Sequence, residues 1–97
     1  MASALIEREN VMPVIAKFYG IVIRMLCSRP LGARLHAFYG DTELVVGLFP
    51  LRIVQGDAPD RVREMVLRWA GLHQMELIAV WNRLAAGRGA QQVAPLV

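Results

Sequence analysis

The chain has one cysteine, Cys27, in 97 residues. A lone thiol cannot close an intramolecular disulfide, so a small secreted domain stapled by cystines is excluded. Cys27 alternates with Ile23 and Met25 and reads as a small buried hydrophobe. There are two histidines, His36 and His73, in distant segments. With one cysteine they do not supply the three or four ligands of a transition-metal site, so neither a metal nor a cofactor is expected. Apolar runs stay well below the ~20 residues of a membrane span, because Lys17, Arg24 and Arg29 interrupt them. The first ten residues lack the basic start and apolar block of a secretory signal. A cytoplasmic protein without membrane contact is the expectation. Glycine-rich phosphate loops, paired-cysteine or His-Glu-x-x-His patterns and nucleophile elbows are all missing. These absences weigh against an enzyme, and no catalytic residue is assigned.

Acids are also missing from residues 12–40, which carry Lys17, Arg24, Arg29 and Arg34. The net charge of +3 is therefore concentrated in the N-terminal half. Such a bias suits an acidic partner or nucleic acid. Four charges are also what an ordinary solvated face carries. What the chain has in abundance is apolar side chains, 56% of the total. That excess has two possible sinks: a densely packed core, or a second chain, either another copy in a homodimer or a dedicated partner.

Residues 18–27 are rich in β-branched and aromatic side chains and fit a strand. Its odd positions, Tyr19 to Cys27, are the more uniformly apolar and are expected to face the core. Pro30 and Gly32 break it. Residues 34–39 fit a second strand, with Leu35, Ala37 and Tyr39 on one face and Arg34, His36 and Phe38 on the other. Gly40-Asp41 suits a tight hairpin. Residues 42–49 form a third strand ended by Pro50, and residues 51–55 a short fourth before a turn at Gly56-Asp57. Asp57 or Ala58 caps a helix with Pro59 in its first turn. From Val62 to Leu84 the apolar gaps are three and four, the helical period, with Gly71 marking a bend. Gly87 and Gly89 close it, and an extended tail follows.

The predicted fold is α+β: a small antiparallel sheet of three or four strands packed on a long C-terminal helical segment. The predicted core is Tyr19, Ile21, Ile23, Leu35, Ala37, Val62, Val66, Trp69, Leu77 and Trp81. His73, on the same helical stripe, reads as a packed residue with one hydrogen bond. The candidate working surface is Arg24, Arg34, His36 and Phe38, on the opposite sheet face. Arginine grips carboxylate or phosphate, and an aromatic beside it can anchor a partner or stack on a base. Phe38 and Arg34 are expected to stand exposed, with Phe18, Val22 and Leu26 beside them.

Several segments stand in one order: Met12-Pro13, Phe18-Tyr19-Gly20-Ile21-Val22-Ile23-Arg24-Met25, His36-Ala37-Phe38-Tyr39-Gly40, and Trp69 to Trp81 with Leu72, His73, Glu76 and Leu77 between. In this the chain resembles the DUF4160 family, small prokaryotic proteins grouped as a domain of unknown function. The resemblance spans residues 12–96. Members usually begin near the Met-Pro pair, which implies an N-terminal extension at residues 1–11 and a single domain at 12–97. Members are commonly encoded beside another small protein, in arrangements like toxin–antitoxin pairs. Members also carry a His-x-Pro-Pro-His-Phe-His stretch with the look of a metal or acid–base site. Here that stretch is Pro30-Leu31-Gly32-Ala33-Arg34-Leu35-His36, with only the last histidine kept. Arginine neither ligates a metal nor acts as a base at neutral pH. The resemblance thus implies a non-enzymatic interaction protein that binds a small protein encoded by a neighbouring gene. A small RNA- or DNA-acting toxin using the basic sheet face is the alternative.

Overall fold

Three two-residue connections, Tyr19-Gly20, Gly40-Asp41 and Phe49-Pro50, fold the first half of the chain into a meander. The computed structural model describes residues 12–25 and 32–97. Among these, five strands are formed: β1 (Val14–Phe18), β2 (Ile21–Arg24), β3 (Arg34–Tyr39), β4 (Thr42–Leu48) and β5 (Leu51–Asp57). They pair antiparallel in sequence order, β1-β2-β3-β4-β5. Two helices follow, α1 (Asp60–Leu72) and α2 (Gln74–Ala85). The α+β class stands. The sheet has five strands rather than three or four, and the helical segment is two helices rather than one long one.

The extra strand comes from the first segment. Residues 18–27 are not one strand, because Tyr19 (φ 49°) and Gly20 (φ 79°) form a hairpin turn between β1 and β2. Both central residues with positive φ is the type I′ pattern, whose twist matches the flanking strands. A two-residue turn places Phe18 opposite Ile21, on one face. Phe18 is therefore buried rather than exposed, and Tyr19 is 57% exposed rather than core. Ile21, Ile23 and Met25 face the core as expected. Leu26, Cys27, Pro30 and residues 1–11, where an extension was expected, lie outside the described residues.

β3 has the expected bounds, and Gly40 takes φ 56° in the turn that pairs Tyr39 with Thr42. Tyr39, at the strand end, is 39% exposed and leaves the core to Leu35 and Ala37. β5 continues through Gly56-Asp57, where a turn was expected. Gly56 pairs with Leu44 at φ 87°, and an added Cβ there would lie 2.1 Å from the Glu43 carbonyl oxygen. Glycine is required by that close approach. A bulge between Val45 and Val46 shifts the register and makes Val54 the additional residue.

Pro59, rather than Asp57 or Ala58, occupies the cap position of α1, and the Asp57 carboxylate accepts the Ala58 N–H at 2.9 Å. The helix breaks at His73, two residues after Gly71. His73 belongs to neither helix. It is half-buried, and its Nδ1 donates to Glu76 Oε1 at 3.0 Å. Gln74 Nε2 donates to the Leu48 carbonyl at 2.6 Å, fixing the start of α2 against β4.

Both helices lie on one sheet face. The core joins Ile15, Phe18, Ile23, Leu35, Leu44, Val46 and Leu48 from the sheet with Val62, Val66, Trp69, Leu77 and Val80 from the helices. Trp69 is wholly buried, with its ring 5.2 Å from that of Phe18. Trp81, expected as an equal pillar, is half-buried at the core margin. The tail is irregular but docked. Val93 N–H donates to the Ile15 carbonyl at 2.9 Å, and Gln92 Nε2 to that of Val14 at 2.8 Å. The tail thereby occupies the outer edge of β1, while β5 is the other edge of the sheet.

Candidate functional site

The face turned away from the helices is set out by the hairpin register. Directly paired residues point to the same side, so each alternate row of the ladder belongs to this face. One row runs Lys17, Val22, Phe38, Glu43, Asp57. The next runs Arg24, His36, Val45, Gln55, and the third Arg34, Gly47, Arg52. All four residues singled out from the sequence thus share one face. Arg24 and His36 are directly paired. The His36 and Phe38 rings lie 6.4 Å apart at 15°.

These four are less exposed than the alternation implied. Each is half-buried. Arg24 Nη1 donates to the Met12 carbonyl at 2.8 Å, which ties β2 to the entry of the domain. Val45, at the centre of the face, is buried yet stands outside the main core cluster. The face therefore has an apolar middle of Val22, Phe38 and Val45, with Lys17, Arg24, Arg34 and Arg52 around it.

His36 has a partner the sequence reading missed. Its Nδ1 lies 2.7 Å from Glu43 Oε2. An ionised carboxylate only accepts, so Nδ1 carries the proton. The other ring nitrogen, Nε2, is buried with no hydrogen-bond partner among the described residues. Glu43 was legible in principle, because a two-residue turn at Gly40-Asp41 fixes Phe38 opposite Glu43 and brings His36 diagonally near it.

Arg52 and Gly47 were also missed. Gly47 lies between Arg34 and Arg52 in its row, and its missing side chain leaves a shallow groove of about 170 Å³. Phe49 and Val54 form its apolar wall. Two guanidinium groups beside a groove can hold a carboxylate or phosphate. The pairing follows from the two-residue connection at Phe49-Pro50, which sets Leu48 opposite Leu51 and Gly47 opposite Arg52. Groups of three or more His, Cys, Asp or Glu side chains placed to hold a metal are absent among the described residues. None of the described helices is long and apolar enough to cross a membrane.

An antiparallel meander with two helices on one face and a mixed apolar and basic surface on the other defines a small α+β domain. The chain belongs to the family described as Domain of unknown function (DUF4160), whose profile matches residues 20–82. Comparison with curated proteins and with solved structures finds no match in either.

Proposed function

We propose that this chain is a non-enzymatic interaction protein, one component of a toxin–antitoxin-like two-gene module, and that it binds a small partner through the sheet face opposite the helices. The observation that carries the reading is the row Val22–Phe38 beside Val45, on a face that neither α1 nor α2 covers. An apolar centre with aromatic and arginine side chains has the composition of protein interfaces. The basic rim of Lys17, Arg24, Arg34 and Arg52 favours an acidic partner and speeds its encounter. The resemblance to proteins encoded in pairs supports the two-gene setting.

The second reading is an RNA- or DNA-acting toxin. The His36–Glu43 contact supports it, because a carboxylate that orients a histidine is a part of acid–base sites. Glu43 and Asp57 count against it, since they bring negative charge to one row of the same face. The test uses the exposed rim positions Lys17 and Arg52. The double variant K17E/R52E is expected to keep its melting temperature and to bind the neighbouring gene product about 10-fold more weakly. The change R68E, on exposed helix surface, serves as control. Unchanged partner binding with loss of RNA affinity would move the second reading to first place.

A further inference from the structure

The two Tyr-Gly pairs of the sequence, twenty residues apart, meet at one end of the sheet. Tyr19-Gly20 forms the β1–β2 turn, and Tyr39 enters the β3–β4 turn at Gly40. A Cβ at Gly20 would stand 3.4 Å from Tyr39 Cε1, so the Tyr39 ring lies against the Gly20 backbone. With Pro59, Arg61, Val62 and Met65 the two tyrosines line a cleft of about 340 Å³. That volume is in the range of small-molecule sites. The cleft shares no residue with the sheet face described above.

Three features of this cleft are unexplained by folding. Tyr19 adopts φ 49°, a left-handed conformation that asparagine or glycine takes with less strain and that suits a type I′ turn poorly when the residue is bulky. Strain kept in place of an easy alternative is characteristic of binding sites. Both tyrosines are also exposed, Tyr19 at 57% and Tyr39 at 39%, and both line the same cleft. Finally, the acids near this cleft, Asp57 at the end of β5 and Asp60 at the start of α1, are directed elsewhere. Asp57 and Asp60 both face Arg63, at 3.8 and 3.9 Å, while Arg61 makes no ion pair among the described residues.

We propose that this cleft binds a small planar aromatic molecule bearing a carboxylate or a phosphate. Its ring lies against the two tyrosines, where aromatic faces and the Met65 thioether provide complementary contacts. Its anion meets the Arg61 guanidinium, which gains a charge-assisted hydrogen bond. Arg61 and Tyr19 are thus the residues that set specificity.

Amide chemical shifts of the labelled protein, titrated with four probes, test this. The probes are 4-hydroxyphenylacetate and adenosine 5′-monophosphate as anions, with 4-hydroxyphenylacetamide and adenosine as their neutral counterparts. At least one anion is expected to give saturable shifts at Gly20, Gly40 and Val62, and to bind about 10-fold tighter than its neutral counterpart. Which anion does so tells a phenolic carboxylate from a purine nucleotide. Arg61→Gln is expected to remove that preference. Tyr19→Asn is expected to raise the melting temperature and weaken binding by about 10-fold, since it relieves the turn and removes a ring. No saturable shift with either anion would overturn the proposal, as would unchanged affinity in Tyr19→Asn. A lowered melting temperature in that variant would also overturn it, by making Tyr19 a folding residue.

Discussion

Trp69 and Trp81 are alike in the sequence and unlike in the fold, and replacing each by alanine separates them. Trp69 has no exposed surface, lies 5.2 Å from the Phe18 ring and donates its indole N–H to the Ala94 carbonyl at 2.7 Å. A buried Trp→Ala change costs about 3–5 kcal/mol. The aromatic pair and the hydrogen bond put Trp69→Ala at about the upper end of that range. Trp81 is half-buried, so its apolar contribution is about half as large. Its Nε1 is buried without a hydrogen-bond partner among the described residues. Deleting that group relieves a penalty of about 1–3 kcal/mol, which leaves Trp81→Ala with a net cost of about 1 kcal/mol or less. In a domain of this size 1 kcal/mol shifts the melting temperature by about 4–8 °C. Circular dichroism melts are therefore expected to fall by about 16–40 °C for Trp69→Ala and by no more than about 8 °C for Trp81→Ala. Equal losses, or a larger loss for Trp81, would refute the placement of the helices on the sheet.

Two further perturbations follow from the backbone. Gly56→Ala puts a Cβ 2.1 Å from the Glu43 carbonyl at φ 87°, whereas Gly87→Ala meets nothing within 4 Å at φ 78°. The first is expected to cost about 3 kcal/mol or more and the second about 1 kcal/mol in urea unfolding, with the difference measuring strand contact alone. Deleting residues 92–97 removes the Gln92, Val93 and Ala94 hydrogen bonds to the body of the domain. At about 0.5–1.5 kcal/mol each, these make a loss of about 2–4 kcal/mol, read as an earlier urea midpoint.

The sequence made the bounds of β3 and the inward facing of Leu35 and Ala37 legible, because Arg34 to Phe38 alternate cleanly and Gly40-Asp41 ends the strand, while Tyr39 at its end is exposed rather than core. The helix stripe was legible for the same kind of reason: Val62, Val66, Trp69 and Leu77 keep the 3.6 period and are all buried. The β1–β2 turn was hidden because Tyr19 is a strand former standing at positive φ. That one residue moved Phe18 from surface to core. The β5 bulge was hidden too, since nothing in Arg52-Ile53-Val54-Gln55 announces an extra residue. Arg52 escaped the site for a different reason: the two-residue connection at Phe49-Pro50, which sets it opposite Gly47 and across from Arg34, does not read as a hairpin turn in the sequence. The break at His73 fell two residues beyond the glycine that signalled it, in a segment whose apolar spacing continues through the junction.

Side-chain footprinting by hydroxyl radicals, on the chain alone and with the neighbouring gene product, tests the central claim most directly. Two surfaces offer large side chains to the label. One is the sheet face, with Val22, Phe38 and Val54. The other is the helix junction, where Leu72 is 69% and Met75 76% exposed. Protection of Phe38 and Val54 with Leu72 and Met75 unchanged is expected. Protection confined to Leu72 and Met75 would contradict it and place the partner on the helical side.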